Sequence, residues 1–345
     1  MLLFFTVLLC LELAVLSRSE HLTNKLNHVW INRPLQSDLA KEIQEHQSKC
    51  TPKVAHHWQQ KSGMGSDLHI WTQTICNSMQ AGETLLQLDE PWIWNDKNFC
   101  KEGNHTQPFS CYFNLQSNCP NSTNVNHPAK WTNGWNMCPK YIKDMDSRQN
   151  FRAAAIEYLF SNLNPRLVRE AEDAIKEVFG PNGIPKDMIT LHLRLGDKHT
   201  EMKLVTPLEY YNAIDNVIDR HPHLTDPHIY VTTESLDGLE KVQEQLKKHQ
   251  KTWKVHFYAP AVFNSKEVIS PMDMADKTQG SIGKHSIIAL LLAMEARYYI
   301  LTSGSNWSRL IDELRKNVVD VQCNKCTEMV DLRRANNRNA DNWRL

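Results

Sequence analysis

Ile189-Thr190-Leu191-His192-Leu193-Arg194-Leu195-Gly196-Asp197-Lys198-His199-Thr200-Glu201 is an apolar run that breaks off into a cluster of ionisable side chains. Pro181, Gly183 and Pro185 close the segment before it, and residues 188–193 alternate as a strand does. Gly196 permits the sharp turn that brings backbone close to a ligand. In open parallel sheets ligands sit at the carboxyl ends of strands, so Arg194, Asp197, Lys198 and Glu201 are expected to face a cleft. The alternative is a strand end capped by a local Arg to Asp ion pair.

Outward from this stretch the pattern repeats. Strands are expected at 189–194, 228–232, 253–258 and 298–302, separated by helices at 207–219, 236–250, 284–296 and 307–316. Such alternation means crossover units and a parallel sheet. Three strand ends carry polar or small residues: 194–197, Thr232-Thr233-Glu234-Ser235, and Thr302-Ser303-Gly304-Ser305-Asn306. The last opens a helix, where amides and hydroxyls can hold phosphate oxygens.

Towards the amino end, scaffold helices are expected at 149–160 and 165–179, and a strand at 84–88. Gly63-Met64-Gly65 precedes apolar residues at helical spacing: Leu68, Trp71, Thr72, Ile75, Cys76 and Met79. A tight loop feeding a helix amino terminus is a place for a pyrophosphate, because unpaired amides and the helix dipole favour an anion there. An ordinary turn is the alternative. Pro91-Trp92-Ile93-Trp94 reads as an aromatic wall or as core.

The 345 residues are enough for about two domains. Lys+Arg and Asp+Glu both number 39, so no global charge points to nucleic acid or to an anionic membrane, and any basic site must be local. Hydrophobic content of 41% with 10 Trp marks a globular chain. The apolar run 2–16, followed by Ser17-Arg18-Ser19, reads as a secretory signal over 1–19, with a short membrane anchor as the alternative. Beyond Cys10, eight cysteines remain: Cys50, Cys76, Cys100, Cys111, Cys119, Cys138, Cys323 and Cys326. In an oxidising compartment an even count reads as disulfides, with pairing left open. Cys323-Asn324-Lys325-Cys326 admits a redox pair or half a zinc site as well. Glycosylation sequons start at Asn104, Asn121 and Asn306.

The motif His192-Leu193-Arg194-Leu195-Gly196-Asp197-Lys198, with Thr200-Glu201 and Pro207-Leu208-Glu209-Tyr210-Tyr211, resembles the His-x-Arg-Arg-Thr-Asp-Lys region of the α1,6-fucosyltransferases. That group includes the core N-glycan enzyme and the rhizobial chitooligosaccharide enzyme. Gly63-x-Gly65 with Leu68-His69, residues 230–235 and residues 302–309 are similar to further parts of the family. The resemblance implies an α/β, GT-B-like fold of two Rossmann-type halves with parallel sheets and a cleft between them. It places an amino-terminal half at 20–180 with a cysteine-rich insert at 100–138, a donor-binding half at 181–322 and a tail at 323–345.

The activity implied is transfer of fucose from GDP-fucose to a glycan hydroxyl, with inversion and without a metal, in the secretory pathway; the Golgi lumen is the expected location, with secretion as the alternative. Arg194 would neutralise the departing diphosphate, since its fork holds phosphate oxygens bidentately. Glu201 would deprotonate the acceptor. His192, Gly63, Gly65, Glu234, Ser303 and Ser305 would contact the nucleotide. Nucleic acid is not an expected partner. Leu195 stands where the family has a second Arg, Gly196 where it has Thr, and Ala289 where an aspartate for guanine is expected. A glycan- or nucleotide-binding protein that has lost catalysis is therefore one alternative, and a transferase of different linkage or nucleotide sugar is the other.

Overall fold

The computed structural model describes residues 30–31, 33–49, 51, 53–57, 62–87, 92–101, 109–115, 125–128, 138–195, 203–262 and 270–332. In chain order these form α1 (Asp38–Ser48), β1 (Val54–His57), α2 (Met64–Ala81), β2 (Thr84–Gln87), α3 (Lys97–Lys101), β3 (Val125–Pro128), α4 (Met145–Phe160) and α5 (Pro165–Phe179). There follow β4 (Ile189–His192), α6 (Pro207–Arg220), β5 (His228–Thr232), α7 (Leu236–Lys248), β6 (Lys254–His256), α8 (Pro271–Lys277) and α9 (Ser281–Ala293). Last come β7 (Tyr298–Leu301), α10 (Asn306–Leu314), a π-helical turn Arg315–Val319, α11 (Asp320–Cys323) and β8 (Glu328–Asp331).

The strands build two parallel sheets, of order β2-β1-β3 and β6-β5-β4-β7-β8. The mixed α/β class and the parallel sheets expected from the alternation of elements are thus present. In the larger sheet the chain runs β4, β5, β6 to one edge and then returns to place β7 and β8 on the other side of β4. The reversal falls between β4 and β7, and a crevice at the carboxyl ends of such a pair is where open α/β sheets take ligands. All four residues of β4 and of β7 are buried, which explains the continuous apolar character of β7, while β4 also buries the polar Thr190 and His192.

Helix boundaries follow local chemistry. On α5, Leu167, Val168, Ala171, Ala174 and Ile175 form one buried stripe, and each large aliphatic contributes about 1.5–3 kcal/mol by leaving water. Side-chain caps start α1 (Ser37), α4 (Asp144), α5 (Asn164), α6 (Thr206), α7 (Ser235) and α8 (Ser270). One hydrophobic core joins α2, α4 and α5 to α9 and α10; a separate cluster lies between the large sheet and α6 and α7. The cysteines form disulfides Cys76–Cys138, Cys100–Cys111 and Cys323–Cys326. No described helix is long and apolar enough to cross a membrane.

Three segments differ from the sequence reading. β1, a Val-Ala-His-His strand, shows no alternation because both faces of it are buried. β8 lies in the segment expected as a tail, and its pairing with β7 makes it the edge of the large sheet. The helix expected at 284–296 starts three residues earlier, at Ser281, and ends at Ala293.

Candidate functional site

Two helices begin side by side. Gly63 is the N-cap of α2 and Ser305 that of α10, and neither helix end carries a side-chain cap. Gly65 packs so closely on the start of α10 that a Cβ there would lie 3.2 Å from the Trp307 amide nitrogen. Their first-turn amides, the positive ends of both dipoles, therefore meet at one place. α9 also lacks a side-chain cap, but its Gly280 and Gly283 lie directly on the backbone of Asn95 and Trp94, with no room for a side chain at either glycine.

Buried charge holds the two helices in register. His69 of α2 places Nε2 3.0 Å from Glu313 Oε2 and Nδ1 3.0 Å from Asn306 Oδ1, both on α10. Arg152 of α4 donates to the other Glu313 oxygen. Asn306 donates to Ser66 Oγ at 2.6 Å and accepts from Arg309 at 2.6 Å. Arg309 also donates to the Ser303 carbonyl at 2.6 Å, which fixes the loop ahead of α10. Burial pushes the Glu313 carboxyl up, but the Arg152 guanidinium and His69 outweigh it and bring it down to about 2. Burial pushes the His69 imidazole down.

The end of β4 joins this platform. His192 Nδ1 lies 2.6 Å from Ser308 Oγ, which accepts from the Thr302 amide at 3.0 Å, so β4, β7 and the first turn of α10 are tied at one hydroxyl. Burial, with Arg194 adding to it, pushes His192 down to about 3, so its ring is neutral at physiological pH. Two residues on, Arg194 is buried and ion-paired with Glu234 at the end of β5. Its Nη1 also donates to the Leu195 carbonyl at 3.1 Å.

Among the sequence candidates, then, Arg194 and Glu234 form a pair, Gly63 and Gly65 open α2, and Ser305 opens α10. His192 is spent on Ser308 and faces the protein interior. Ser303 is also engaged: its amide donates to Asp331 at 3.0 Å and its hydroxyl donates to the same carboxylate. Glu201, with Gly196, Asp197 and Lys198, lies outside the described residues, as do residues 1–19, Cys50, Cys119 and the sequons at Asn104 and Asn121. The Arg to Asp pair considered for the strand end involves Asp197 and lies outside the described residues; Arg194 pairs with Glu234, just past the end of β5.

Asp67, Arg152, Arg309, Glu313 and Asp331 were not singled out from the sequence. Asp67 is buried in the first turn of α2, accepts from Trp92 Nε1 at 2.8 Å and is bonded to Ser62 Oγ. Trp94 Nε1 donates to the Ser62 carbonyl at 3.2 Å, so the tryptophan pair clamps the loop before Gly63. The only local signal was Arg309 and Glu313, four apart on the buried side of α10.

No protein-family model matches the chain. No curated protein matches it either. Among solved structures the chain is similar to a crystal structure of NodZ alpha-1,6-fucosyltransferase soaked with GDP-fucose, at 14% sequence identity and a TM-score of 0.37, over 76% of this chain and 92% of that one.

Proposed function

We propose that the chain is a glycosyltransferase of the secretory pathway that uses a nucleotide-diphosphate sugar, GDP-fucose, and passes fucose to a glycan hydroxyl with inversion. The observation that carries this reading is the meeting of two uncapped helix amino ends, α2 and α10, beside the strand end that bears Arg194. Two positive helix ends packed together repel one another unless an anion lies between them, and a diphosphate is such an anion. The fucosyl carbon develops positive charge as the diphosphate departs, so groups already fixed around the leaving oxygens lower the barrier without reorganising. On this reading the protein's own amides and guanidinium do that work, and no metal is required.

Glu234 holds Arg194 before the donor arrives, and the diphosphate competes with it for the guanidinium. Ser305, buried at the N-cap of α10 with no cap bond from its hydroxyl, would offer that hydroxyl to a phosphate oxygen. Ser303 and His192 act indirectly, by shaping the loop. Glu201 is the proposed base, and the glycan acceptor would approach from its side. The halves 20–180 and 181–322 would each contribute one wall.

A binding protein without catalysis is the second reading, and one observation favours it. Ala289, where guanine would meet an acid, is buried in α9 with its carbonyl accepting from Tyr230 at 3.3 Å. A thermal-shift screen with GDP, UDP and CMP tests the anion site. GDP at a hundred times its Kd should stabilise by about 2.7 kcal/mol. No shift with any nucleotide ends the proposal. Binding without turnover, unchanged in Glu201→Gln, selects the second reading.

A further inference from the structure

We infer that Cys323–Cys326 is a thiol–disulfide exchange site, open to a dithiol reductant, whose reduction loosens β8 and with it the Ser303 loop. The described disulfides are unequal. Cys76, Cys138 and Cys111 are wholly buried and Cys100 is half-buried, whereas both Cys323 and Cys326 are half-buried and flank the exposed Asn324 and Lys325. A separation of 3 residues also constrains the unfolded chain far less than the separation of 62 between Cys76 and Cys138, so less opposes its opening.

The turn itself favours one direction of attack. The Cys326 amide donates to Cys323 Sγ at 3.2 Å, which stabilises negative charge on that sulfur and makes it the better leaving group. The Asp320 carboxylate lies near both sulfurs and would oppose a thiolate, but Arg315 holds it at 2.7 Å and Thr327 accounts for its other oxygen. A thiolate of the reductant attacks Cys326 Sγ, the sulfur–sulfur bond breaks, and Cys323 leaves as the thiolate. The reductant's second thiol then resolves the mixed disulfide. Two electrons and two protons pass to the cysteine pair, and the reductant departs as its own disulfide.

The consequence is set by what the turn leads into. β8 begins two residues after Cys326, pairs among the described residues with β7 along one side, and ends at Asp331, whose carboxylate holds the amide and hydroxyl of Ser303. Opening the bond removes the covalent fastening of this edge strand and leaves the hydrogen-bonded clasp of Asp320, Arg315 and Thr327. The loss of order is therefore local. Its effect on nucleotide affinity rests on the function proposed above; the exchange reaction and the loosening do not.

The test uses the full chain titrated with dithiothreitol, trapped with N-ethylmaleimide and mapped by peptide mass spectrometry, with hydrogen exchange read in parallel. Cys323 and Cys326 should be labelled at reductant levels that leave Cys76 and Cys138 unlabelled. Amides of 303–306 and 328–332 should then exchange roughly three- to tenfold faster, as they should in C323A/C326A without reductant. Labelling of Cys76 and Cys138 first, or unchanged exchange in both the reduced chain and the double variant, overturns the inference. GDP affinity should fall in step. Equal GDP affinity in the two states overturns the link to the anion site, while GDP binding to neither state tells against the proposed function and leaves the exchange data to decide this one.

Discussion

Gly65 lies against Trp307 so closely that an added Cβ would sit 3.2 Å from its amide nitrogen and 3.3 Å from the Asn306 carbonyl carbon. Both neighbours are backbone, so neither can rotate away. Gly65→Ala gains about 0.5–1 kcal/mol of helix propensity and loses a similar amount to the tight contact, leaving the melting temperature nearly unchanged. The helix ends are nevertheless pushed apart by a few tenths of an ångström, and GDP affinity should fall several-fold. Gly65→Val adds branching at the same point and should destabilise by about 1–3 kcal/mol. Full GDP affinity in a folded Gly65→Val chain would show that the two helix ends do not share a ligand.

Arg194 and Glu234 make opposite predictions although they form one ion pair. Arg194→Ala removes a charge-assisted donor worth about 1.5–3 kcal/mol, so GDP affinity should drop by roughly ten- to a hundredfold. Glu234→Gln leaves the guanidinium without its carboxylate, so the fold should weaken while GDP binds more tightly. Calorimetric titration of the two variants decides the matter. Weaker GDP binding in Glu234→Gln would mean that the carboxylate contacts the donor and is not a competitor for the guanidinium.

The large sheet was legible because its central strands β4, β5 and β7 are almost wholly buried and the crossover helices α6 and α7 are amphipathic and capped, so local pattern and global position agree at 189–193, 228–232 and 298–301. The glycines at 63 and 65 and the small loop before α10 were legible as helix starts. Their convergence was not, since it is made by contacts such as His69 to Glu313, 244 residues apart in sequence. Nor could the sequence show that Ser303 is taken by Asp331 and His192 by Ser308. The sequence reading assigns both to the nucleotide, because the β8 strand and the inward face of α10 carry no local mark of what they will touch.

The sequon Asn306-Trp307-Ser308 is expected to stay unmodified in the folded protein. The Asn306 side-chain nitrogen donates to Ser66 Oγ at 2.6 Å across the two helices, and Ser308 is wholly buried. A glycan on that nitrogen would take up the space between α2 and α10. Intact mass before and after enzymatic deglycosylation, with peptide mapping of 306, checks this. A glycan found there on chain that still binds GDP would separate the anion site from the α2 and α10 junction.

Stability at neutral pH is expected to hinge on Asp67. Burial pushes its carboxyl up from the ordinary 3.8 to about 7, against the hydrogen bonds of Ser62 and Trp92 that favour the charged form. The folded chain thus holds a proton here that the unfolded chain has released between these two values. Stability from this site is fully present below pH 3.8 and is lost as pH rises through about 7. The whole swing amounts to about 4 kcal/mol. Asp67→Asn cannot titrate, so subtracting its urea-unfolding free energy from that of the natural chain at each pH isolates the site and cancels every other group. The difference should move against the natural chain by up to that amount between pH 4 and pH 8. A difference that is flat, or that grows in favour of the natural chain as pH rises, would mean the carboxylate is charged throughout and that its two donors prevail over its burial.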